Sequence, residues 1–124
     1  MKVLLIEDDR FFRQFYATKL KEQNIEIETA EDGEQGLLKM KITKPDIVLL
    51  DLIMPKKDGF SVLKQRYKNS KLKKIPVIVL STLGQEQDVE MAKELGANDY
   101  INKSFFNFDL VMAKIMKVRQ INLS

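Results

Sequence analysis

Short apolar runs alternate along the chain with longer segments in which apolar residues recur at helical spacing. The runs cover residues 2–6, 25–29, 46–50, 76–81 and 99–102, and each predicts a β-strand. The first, third and fourth runs are apolar almost throughout, which is typical of strands covered on both faces of a parallel sheet. Strands that alternate with helices in this way predict an α/β fold with a doubly wound parallel sheet.

The segments between the runs predict helices, each with one apolar face. The expected faces are Phe12, Phe15, Tyr16 and Leu20 in the first helix, Leu37, Leu38 and Ile42 in the second, Val62, Leu63 and Tyr67 in the third, and Val89, Ala92 and Leu95 in the fourth. We expect the second helix to open near Asp32 and the fourth to stop at Gly96, because Asp favours helix starts and Gly favours left-handed ends. The third is expected to follow Gly59, and a fifth to run from about Asn107 toward Arg119.

The length of the chain limits its organisation. At 124 residues it is long enough for one domain with a hydrophobic core and too short for two of ordinary size. No stretch approaches the roughly 18 apolar residues of a membrane span, and "MKVLLIEDD" reaches its acids too early for a signal peptide. We therefore expect a single domain in a cytoplasmic protein.

Cysteine and histidine are both absent from the chain. Their absence excludes disulfides and thiolate metal sites, and it removes the commonest general base and the commonest zinc ligand. Any chemistry must therefore use carboxylates, hydroxyls and lysine.

Positive charge is unevenly distributed, although the formal net charge is only +3. Between Lys56 and Lys74 there are eight basic residues and one acid, Asp58. This stretch predicts either a docking face for an acidic partner or an ordinary solvated surface.

Polar side chains follow the predicted strands at the edge where parallel α/β sheets bind their ligands. The first strand leads into Glu7, Asp8 and Asp9, the third into Asp51, the fourth into Ser81 and Thr82, and the fifth into Lys103. Neighbouring strands lie about 4.8 Å apart, and unit charges roughly 4 Å apart repel by about 4 kcal/mol at an effective dielectric of about 20. A hard divalent cation such as Mg²⁺ would remove this conflict between carboxylates.

A bound cation would leave Asp51 with a screened oxygen facing solvent, which suits a nucleophile toward phosphorus and predicts an aspartyl phosphate. Lys103 could neutralise charge on the transferred group, and Ser81 could donate a hydrogen bond to it. Purely structural roles stay open for several of these residues. Asp8 or Asp9 could cap the first helix, Asp51 could open a turn, Lys103 could be solvated, and Tyr100 could be core.

Four stretches resemble the sequence blocks of the receiver domain of bacterial response regulators: "IEDD", "DLIMPKKDG", "PVIVLST" and "GANDYINKSF". They stand in the same order and at matching separations, and the similarity covers essentially the whole chain. The resemblance implies a flavodoxin-like (βα)5 fold with a five-stranded parallel sheet in the order 2-1-3-4-5. It also implies that residues 1–124 form one receiver domain without an output domain.

The same resemblance implies a role for each candidate site residue. Asp51 matches the phosphoacceptor and Lys103 the lysine of the family's site. Glu7, Asp8, Asp51 and the backbone carbonyl of Ile53 would hold Mg²⁺, for which Mn²⁺ can substitute. Ser81 matches the family's hydroxyl residue better than Thr82 does, and Tyr100 matches its switch aromatic.

The function implied is that of a phosphoacceptor in a two-component system or phosphorelay. A sensor histidine kinase or a histidine phosphotransfer protein would donate the phosphoryl group. The face made by the fourth helix, the fifth strand and the fifth helix would then change shape and bind a downstream protein. We expect no contact with nucleic acid or membrane, a monomer or a phosphorylation-linked homodimer, and no enzymatic activity beyond the chain's own phosphorylation and dephosphorylation.

Three features depart from the family's pattern. Ser104 follows Lys103 where the family usually has proline in a cis peptide bond, so this bond is either a strained cis bond or trans. Thr82 stands where a small residue leaves room for the hydroxyl and the aromatic to move. Ile53 and Leu83 are apolar where polar groups can orient a hydrolytic water, which predicts slow autodephosphorylation.

Three other classes of protein use related architectures. A haloacid dehalogenase-type phosphatase needs a second acid two residues after its nucleophile, where this chain has Ile53. A flavin carrier would offer hydroxyls and amides to a phosphate in the first loop, where Glu7 and Asp8 would repel it. A binding module that is never phosphorylated is the remaining alternative, and it could use the basic stretch to dock an acidic partner.

Overall fold

The structure is a computed structural model that describes residues 1–54, 57–82, 86–103 and 107–123. The strands are β1 (Lys2–Ile6), β2 (Glu26–Ala30), β3 (Ile47–Leu50), β4 (Val77–Ser81) and β5 (Asp99–Asn102), and the helices are α1 (Arg10–Glu22), α2 (Gly33–Thr43), α3 (Gly59–Lys68), α4 (Glu86–Glu94) and α5 (Phe108–Leu123). A short 3₁₀ turn, Leu72–Lys74, precedes β4. Within these ranges no helix is long and apolar enough to cross a lipid bilayer.

The strands form one parallel sheet in the order β2-β1-β3-β4-β5. At its carboxyl edge, Ile6 of β1 lies opposite both Ala30 of β2 and Leu50 of β3. The direction of winding changes between β1 and β3, and α/β sheets bind their ligands at such a switch point, beside the loops that follow the two strands. The predicted α/β fold and strand order are confirmed.

Helices cover both faces of the sheet and enclose two layers of core. Ile47 and Leu49 of β3 belong to the layer under α1 and α5, and Val48 and Leu50 belong to the layer under α2, α3 and α4. All four side chains are fully buried. The prediction that the central strands are covered on both sides is confirmed, because burial on both faces requires apolar residues at every position.

The predicted helix signals at Asp32 and Gly96 are confirmed. The Asp32 carboxylate accepts a backbone N–H from the first turn of α2 at 2.9 Å. Gly96 follows α4 with a φ of 94°, a left-handed conformation that glycine adopts without steric strain. Asn107 caps α5 through its side chain, and this helix continues to Leu123 instead of ending near Arg119.

The predicted apolar face of α2 is wrong in part. Leu38 and Ile42 are 58% and 68% exposed, while Met40 and Gly36 are buried. A Cβ at Gly36 would lie 2.5 Å from the Ile6 side chain of β1, so a residue without a side chain lets the helix approach the sheet closely. Glycine therefore accounts for part of the buried side of α2, next to large apolar residues.

Other differences from the expected elements are small. Tyr67 in α3 is exposed, although we expected it on the buried face. The strands β2, β3 and β4 each begin one residue later than predicted, whereas β1 and β5 have the predicted bounds.

Candidate functional site

Three carboxylates meet at the carboxyl edge of the sheet. Glu7 and Asp8 follow β1, Asp51 follows β3, and one oxygen from each of the three lies within 4.8 Å of the others. Glu7 is 1% exposed and Asp51 is 6% exposed, while Asp8 faces solvent. The structure therefore brings together the three acids that were predicted to form the site.

Backbone hydrogen bonds extend the sheet past the strand ends and fix these residues in place. The Glu7 N–H donates to the carbonyl of Ala30 in β2, and the Asp51 N–H donates to the carbonyl of Ile6 in β1, both at 3.0 Å. Two backbones that are hydrogen-bonded to the sheet cannot move apart when their side-chain charges repel. The fold itself therefore holds the carboxylates close together.

Lys103 supplies the positive charge nearest to the acids. Its ammonium forms a buried ion pair with Glu7 and lies 3.8 Å from Asp51 Oδ2. The same nitrogen lies 4.3 Å from the centroid of the Phe12 ring, a cation–π contact that helps to hold it. Among the residues that the structure describes, one ammonium faces three carboxylates here, so this cluster has an excess of negative charge when the acids are ionised.

The environment favours the neutral form of the buried acids. Burial, and after it the neighbouring Asp51 carboxylate, raise the pKa of Glu7 to about 8 against the opposing effect of Lys103. Burial also raises the pKa of Asp51, although its interactions with Glu7 and Lys103 act in the other direction. A site that holds a proton among hard oxygen ligands is suited to a divalent cation that displaces the proton.

Asp9 and Ile53 border the cluster in different ways. The Asp9 carboxylate caps α1 by accepting the N–H of Phe12 at 3.1 Å, which confirms the helix-cap interpretation. The N–H of Ile53 donates to Asp51 Oδ1 at 3.3 Å, and its side chain is exposed. Use of the Ile53 carbonyl as a metal ligand stays a prediction.

Ser81 and Tyr100 lie on neighbouring strands next to the acids. Ser81 is fully buried at the end of β4, whereas Thr82 is exposed, so the two hydroxyl residues have different environments. Tyr100 is half-buried on β5, and burial raises its pKa while a hydrogen bond with the Ser81 side chain opposes that rise. The Ser81 carbonyl also accepts the N–H of Lys103 at 2.9 Å, which connects the hydroxyl residue to the lysine.

Sequence reasoning missed two residues that shape the site. Phe12 was assigned only to a helix face, and its ring contacts the Lys103 ammonium. Arg13 was not singled out, and its guanidinium donates to the carbonyls of Glu7 and Asp8 at 3.0 and 3.2 Å. The spacing of Asp9 and Arg13 does not indicate this contact, because the i,i+4 rule would pair Arg13 with the Asp9 side chain.

Three of the residues named in the sequence analysis lie outside the part of the chain that the structure describes. They are Lys56, Leu83 and Ser104. The geometry of the Lys103–Ser104 peptide bond and the effect of Leu83 on dephosphorylation therefore stay predictions.

The chain is similar to proteins of known sequence. The family model described as "Response regulator receiver domain" matches residues 3–115. The transcriptional regulatory protein KdpE of Staphylococcus aureus is 36% identical over 120 residues, which cover 97% of this chain and 50% of that protein. The chain spans about half the length of the curated relatives it matches.

Solved structures share the fold. The receiver domain of the Francisella response regulator 1452 gives a TM-score of 0.89 at 31% identity, over 96% of both chains. A chain of the CheX-CheY-BeF3-Mg²⁺ complex from Borrelia burgdorferi gives a TM-score of 0.87 at 32% identity, over 95% of this chain and 88% of that one. With these matches and the strand order and acidic cluster described above, the chain belongs to the receiver domain family of two-component response regulators.

Proposed function

We propose that the chain accepts a phosphoryl group on Asp51 with Mg²⁺ bound in the acidic cluster. The observation that carries the proposal is the meeting of three carboxylates within 4.8 Å, beside an ammonium 3.8 Å from Asp51 Oδ2. Negative charge at this density favours a cation, and a cation in turn favours an anionic phosphoryl donor.

The donor atoms of the cluster suit a hard divalent cation. Glu7, Asp8, Asp51 and the carbonyl of Ile53 would hold it, since Mg²⁺ prefers oxygen ligands and Mn²⁺ accepts the same set. When bound, Mg²⁺ would supply positive charge that screens the carboxylates and the oxygens of the incoming group. The Borrelia burgdorferi complex names Mg²⁺ among its components, which supports the choice of ion.

The chain's own residues would position the reacting oxygen. An oxygen of Asp51 attacks phosphorus as the bond between phosphorus and the donor's imidazole nitrogen breaks, and that nitrogen leaves with the bonding electrons. Lys103 lies close enough to Asp51 to pair with the new phosphoryl oxygens. The Ile53 N–H, which already donates to Asp51 Oδ1, holds the carboxylate in one orientation.

The phosphoryl donor would be a second protein. Because the chain contains no histidine, it offers no imidazole of its own, and a sensor histidine kinase or a histidine phosphotransfer protein would fill that role. Phe11 is 72% exposed at the start of α1 and offers such a partner an apolar contact close to the acidic loop. In this scheme the chain catalyses only its own modification and does not turn over other substrates.

The output of the switch would run through Ser81 and Tyr100. Their hydrogen bond connects β4 to β5 beside Asp51, so a phosphoryl group that draws the Ser81 hydroxyl toward it would shift Tyr100 and the α4-β5-α5 face. A downstream protein, or a second copy of the domain, would bind that face in one of the two arrangements. We expect no direct contact of this domain with nucleic acid.

Exposure to acetyl phosphate with Mg²⁺, followed by intact-mass spectrometry, tests the proposal. We expect one phosphoryl group on the wild type, none on Asp51→Asn, and none when EDTA replaces Mg²⁺. Asp9→Asn is the matched control, because Asn caps helices as well as Asp does and this variant should still be modified. A wild type that gains no phosphoryl group would favour a binding module instead.

A further inference from the structure

A cavity of about 580 Å³ lies at the amino edge of the sheet, away from the acidic cluster. It is formed between the end of α2 and the 3₁₀ turn that precedes β4, and Met40, Leu72 and Ile75 provide its apolar surface. Met40 and Leu72 are buried side chains of the hydrophobic core. A ligand in this cavity would therefore contact the edge of the core itself.

Four lysines surround the cavity, and we call the whole feature the lysine groove. Lys41 and Lys44 come from α2 and its end, and Lys71 and Lys74 come from the 3₁₀ turn and the residue before it. All four are exposed, and within the described ranges none forms an ion pair or lies beside an acid lining the cavity. Lys73 differs, because its ammonium lies 4.2 Å from the centroid of the Tyr67 ring.

Hydrogen bonds between side chains and backbone hold the wall of the groove in place. The Asn69 side-chain oxygen accepts the N–H groups of Lys71 and Leu72, both at 3.0 Å. The buried Arg66 guanidinium donates to the carbonyls of Lys73 and Ile75 at 3.3 and 2.9 Å. A partner would thus meet a surface that is already formed, which lowers the entropic cost of binding.

A second cavity of about 280 Å³ extends the groove between α2 and α3. Leu37 and Lys68 contribute to it, and it shares Lys41, Asn69 and Leu72 with the first cavity. Lysines and apolar residues line both cavities, which adjoin at the three shared residues. Two adjoining cavities with apolar lining suit a length of chain better than they suit a compact anion.

We propose that the lysine groove binds an acidic segment of a partner protein, with an apolar side chain of that segment against Met40, Leu72 and Ile75. Charge complementarity supports this choice of ligand, because in the described part of the chain four lysines that form no ion pair line a cavity to which no carboxylate contributes. The groove lies at the amino edge of the sheet, and Asp51 lies at the carboxyl edge. This inference therefore goes beyond the phosphoacceptor function and does not depend on it.

Fluorescence anisotropy with a labelled probe peptide tests the proposal. The probe alternates Asp and Glu with Leu, and we expect it to bind the wild type with an affinity that falls as NaCl is raised. The triple variant Lys41→Gln, Lys71→Gln, Lys74→Gln should weaken binding by about tenfold. Each exposed ion pair contributes little on its own, so the three substitutions are combined. Replacing the Leu residues of the probe with Ser should also weaken binding.

The matched control removes the same charge elsewhere. Lys21, Lys93 and Lys117 are exposed and line none of the described cavities, so their replacement with Gln should leave affinity unchanged. Amide shifts in NMR spectra should change around Met40 and Leu72 when the probe is added.

Three results would overturn the proposal. Equal losses of affinity in the two triple variants would show that net charge alone attracts the probe. Tight binding of inorganic phosphate in the groove would assign it to a small anion. Self-association that the first triple variant abolishes would assign it to a second copy, whose acidic helix α4 carries suitable charges.

Discussion

Glu7 illustrates how one residue in this site is placed under conflicting demands. It is almost fully buried, pairs with the Lys103 ammonium, and lies beside the Asp51 carboxylate. Burial and the neighbouring negative charge favour its protonated form, while the lysine favours the ionised form, and burial dominates. The protonation of Glu7 would therefore be linked to binding of the proposed cation, which requires the carboxylate.

We predict that Mg²⁺ affinity rises with pH up to about 8, the raised pKa of Glu7, and levels off above it. Below this pH the cation must displace a proton, so the apparent affinity should fall by up to about tenfold per pH unit. Titration calorimetry between pH 6 and 9, in buffers of different ionisation enthalpy, measures both the affinity and the protons released. Glu7→Gln should remove the pH dependence, and an affinity in the wild type that does not change with pH would contradict the prediction.

The same pKa shift affects the stability of the metal-free protein. The folded pKa of Glu7 lies above its ordinary value of 4.5, so the folded state binds this proton more tightly than the unfolded state. The resulting stabilisation is fully present below about pH 4.5 and is lost as the pH rises through about 8. This sign is opposite to that of a salt-bridged carboxylate with a lowered pKa.

Lys44 adopts a backbone conformation that glycine favours. It ends α2 with a φ of 48° and a ψ of 63°, in the left-handed region. We predict that Lys44→Gly raises the free energy of unfolding by about 0.5 to 1 kcal/mol, since it relieves steric strain and only part of the gain is lost to the greater freedom of the unfolded chain. Urea denaturation measures the change. Lys41→Gly, inside the same helix, should lower stability by about the same amount, and a shift of both variants in one direction would refute the explanation.

At the scale of elements, the strands could be predicted from the sequence more reliably than the helix faces. Each buried strand needs apolar residues on both sides, and this leaves a continuous signal such as Ile47 to Leu50. The buried side of α2 leaves little signal, because Gly33 and Gly36 allow close packing without apolar side chains. A pattern that counts only large apolar residues selects Leu38 and Ile42 instead, and both face solvent.

Close packing of α2 can be tested at Gly33, the first residue of the helix. A Cβ there would lie 2.3 Å from the backbone carbonyl oxygen of Lys57, in the loop between Asp51 and α3. We predict that Gly33→Ala lowers the free energy of unfolding by about 1 to 3 kcal/mol, because backbone must shift to relieve the overlap. Gly36→Ala should cost less, since its closest neighbour is the end of the Ile6 side chain. Denaturation midpoints compare the two, and a milder effect at Gly33 would contradict this account.

From the sequence, only those residues of the candidate site that directly follow a strand could be placed together. Strand order brings Glu7, Asp8 and Asp51 together whatever their side chains do, because parallel strands end at one edge. The Lys103–Glu7 pair, the Phe12 ring beneath the lysine and the carbonyl contacts of Arg13 depend on side-chain conformations. No spacing rule in the sequence specifies those conformations, and they emerged only from the structure.

For the molecule as a whole, the two edges of the sheet carry opposite charge. The carboxyl edge has the acidic cluster around Asp51, and the amino edge has the lysine groove around Met40 and Leu72. Each concentrates like charges that repel in the free protein, which favours binding at the expense of stability. Binding of a ligand at either edge should therefore stabilise the fold.

We predict that Asp51→Asn raises the free energy of unfolding of the metal-free protein by about 1 kcal/mol, or the Tm by about 4 °C, although it should abolish the proposed phosphoryl transfer. The substitution removes a buried charge whose ionisation burial disfavours, while Lys103 keeps its pairing with Glu7. Mg²⁺ at about 100 times its Kd should stabilise the wild type by about 2.7 kcal/mol, and the variant by less. Thermal denaturation in EDTA and in Mg²⁺ measures both effects, with Asp9→Asn as a control that should resemble the wild type. If Asp51→Asn is the less stable protein in EDTA, then attraction between Asp51 and Lys103 outweighs the repulsion among the acids, and the cluster does not need a cation to hold together.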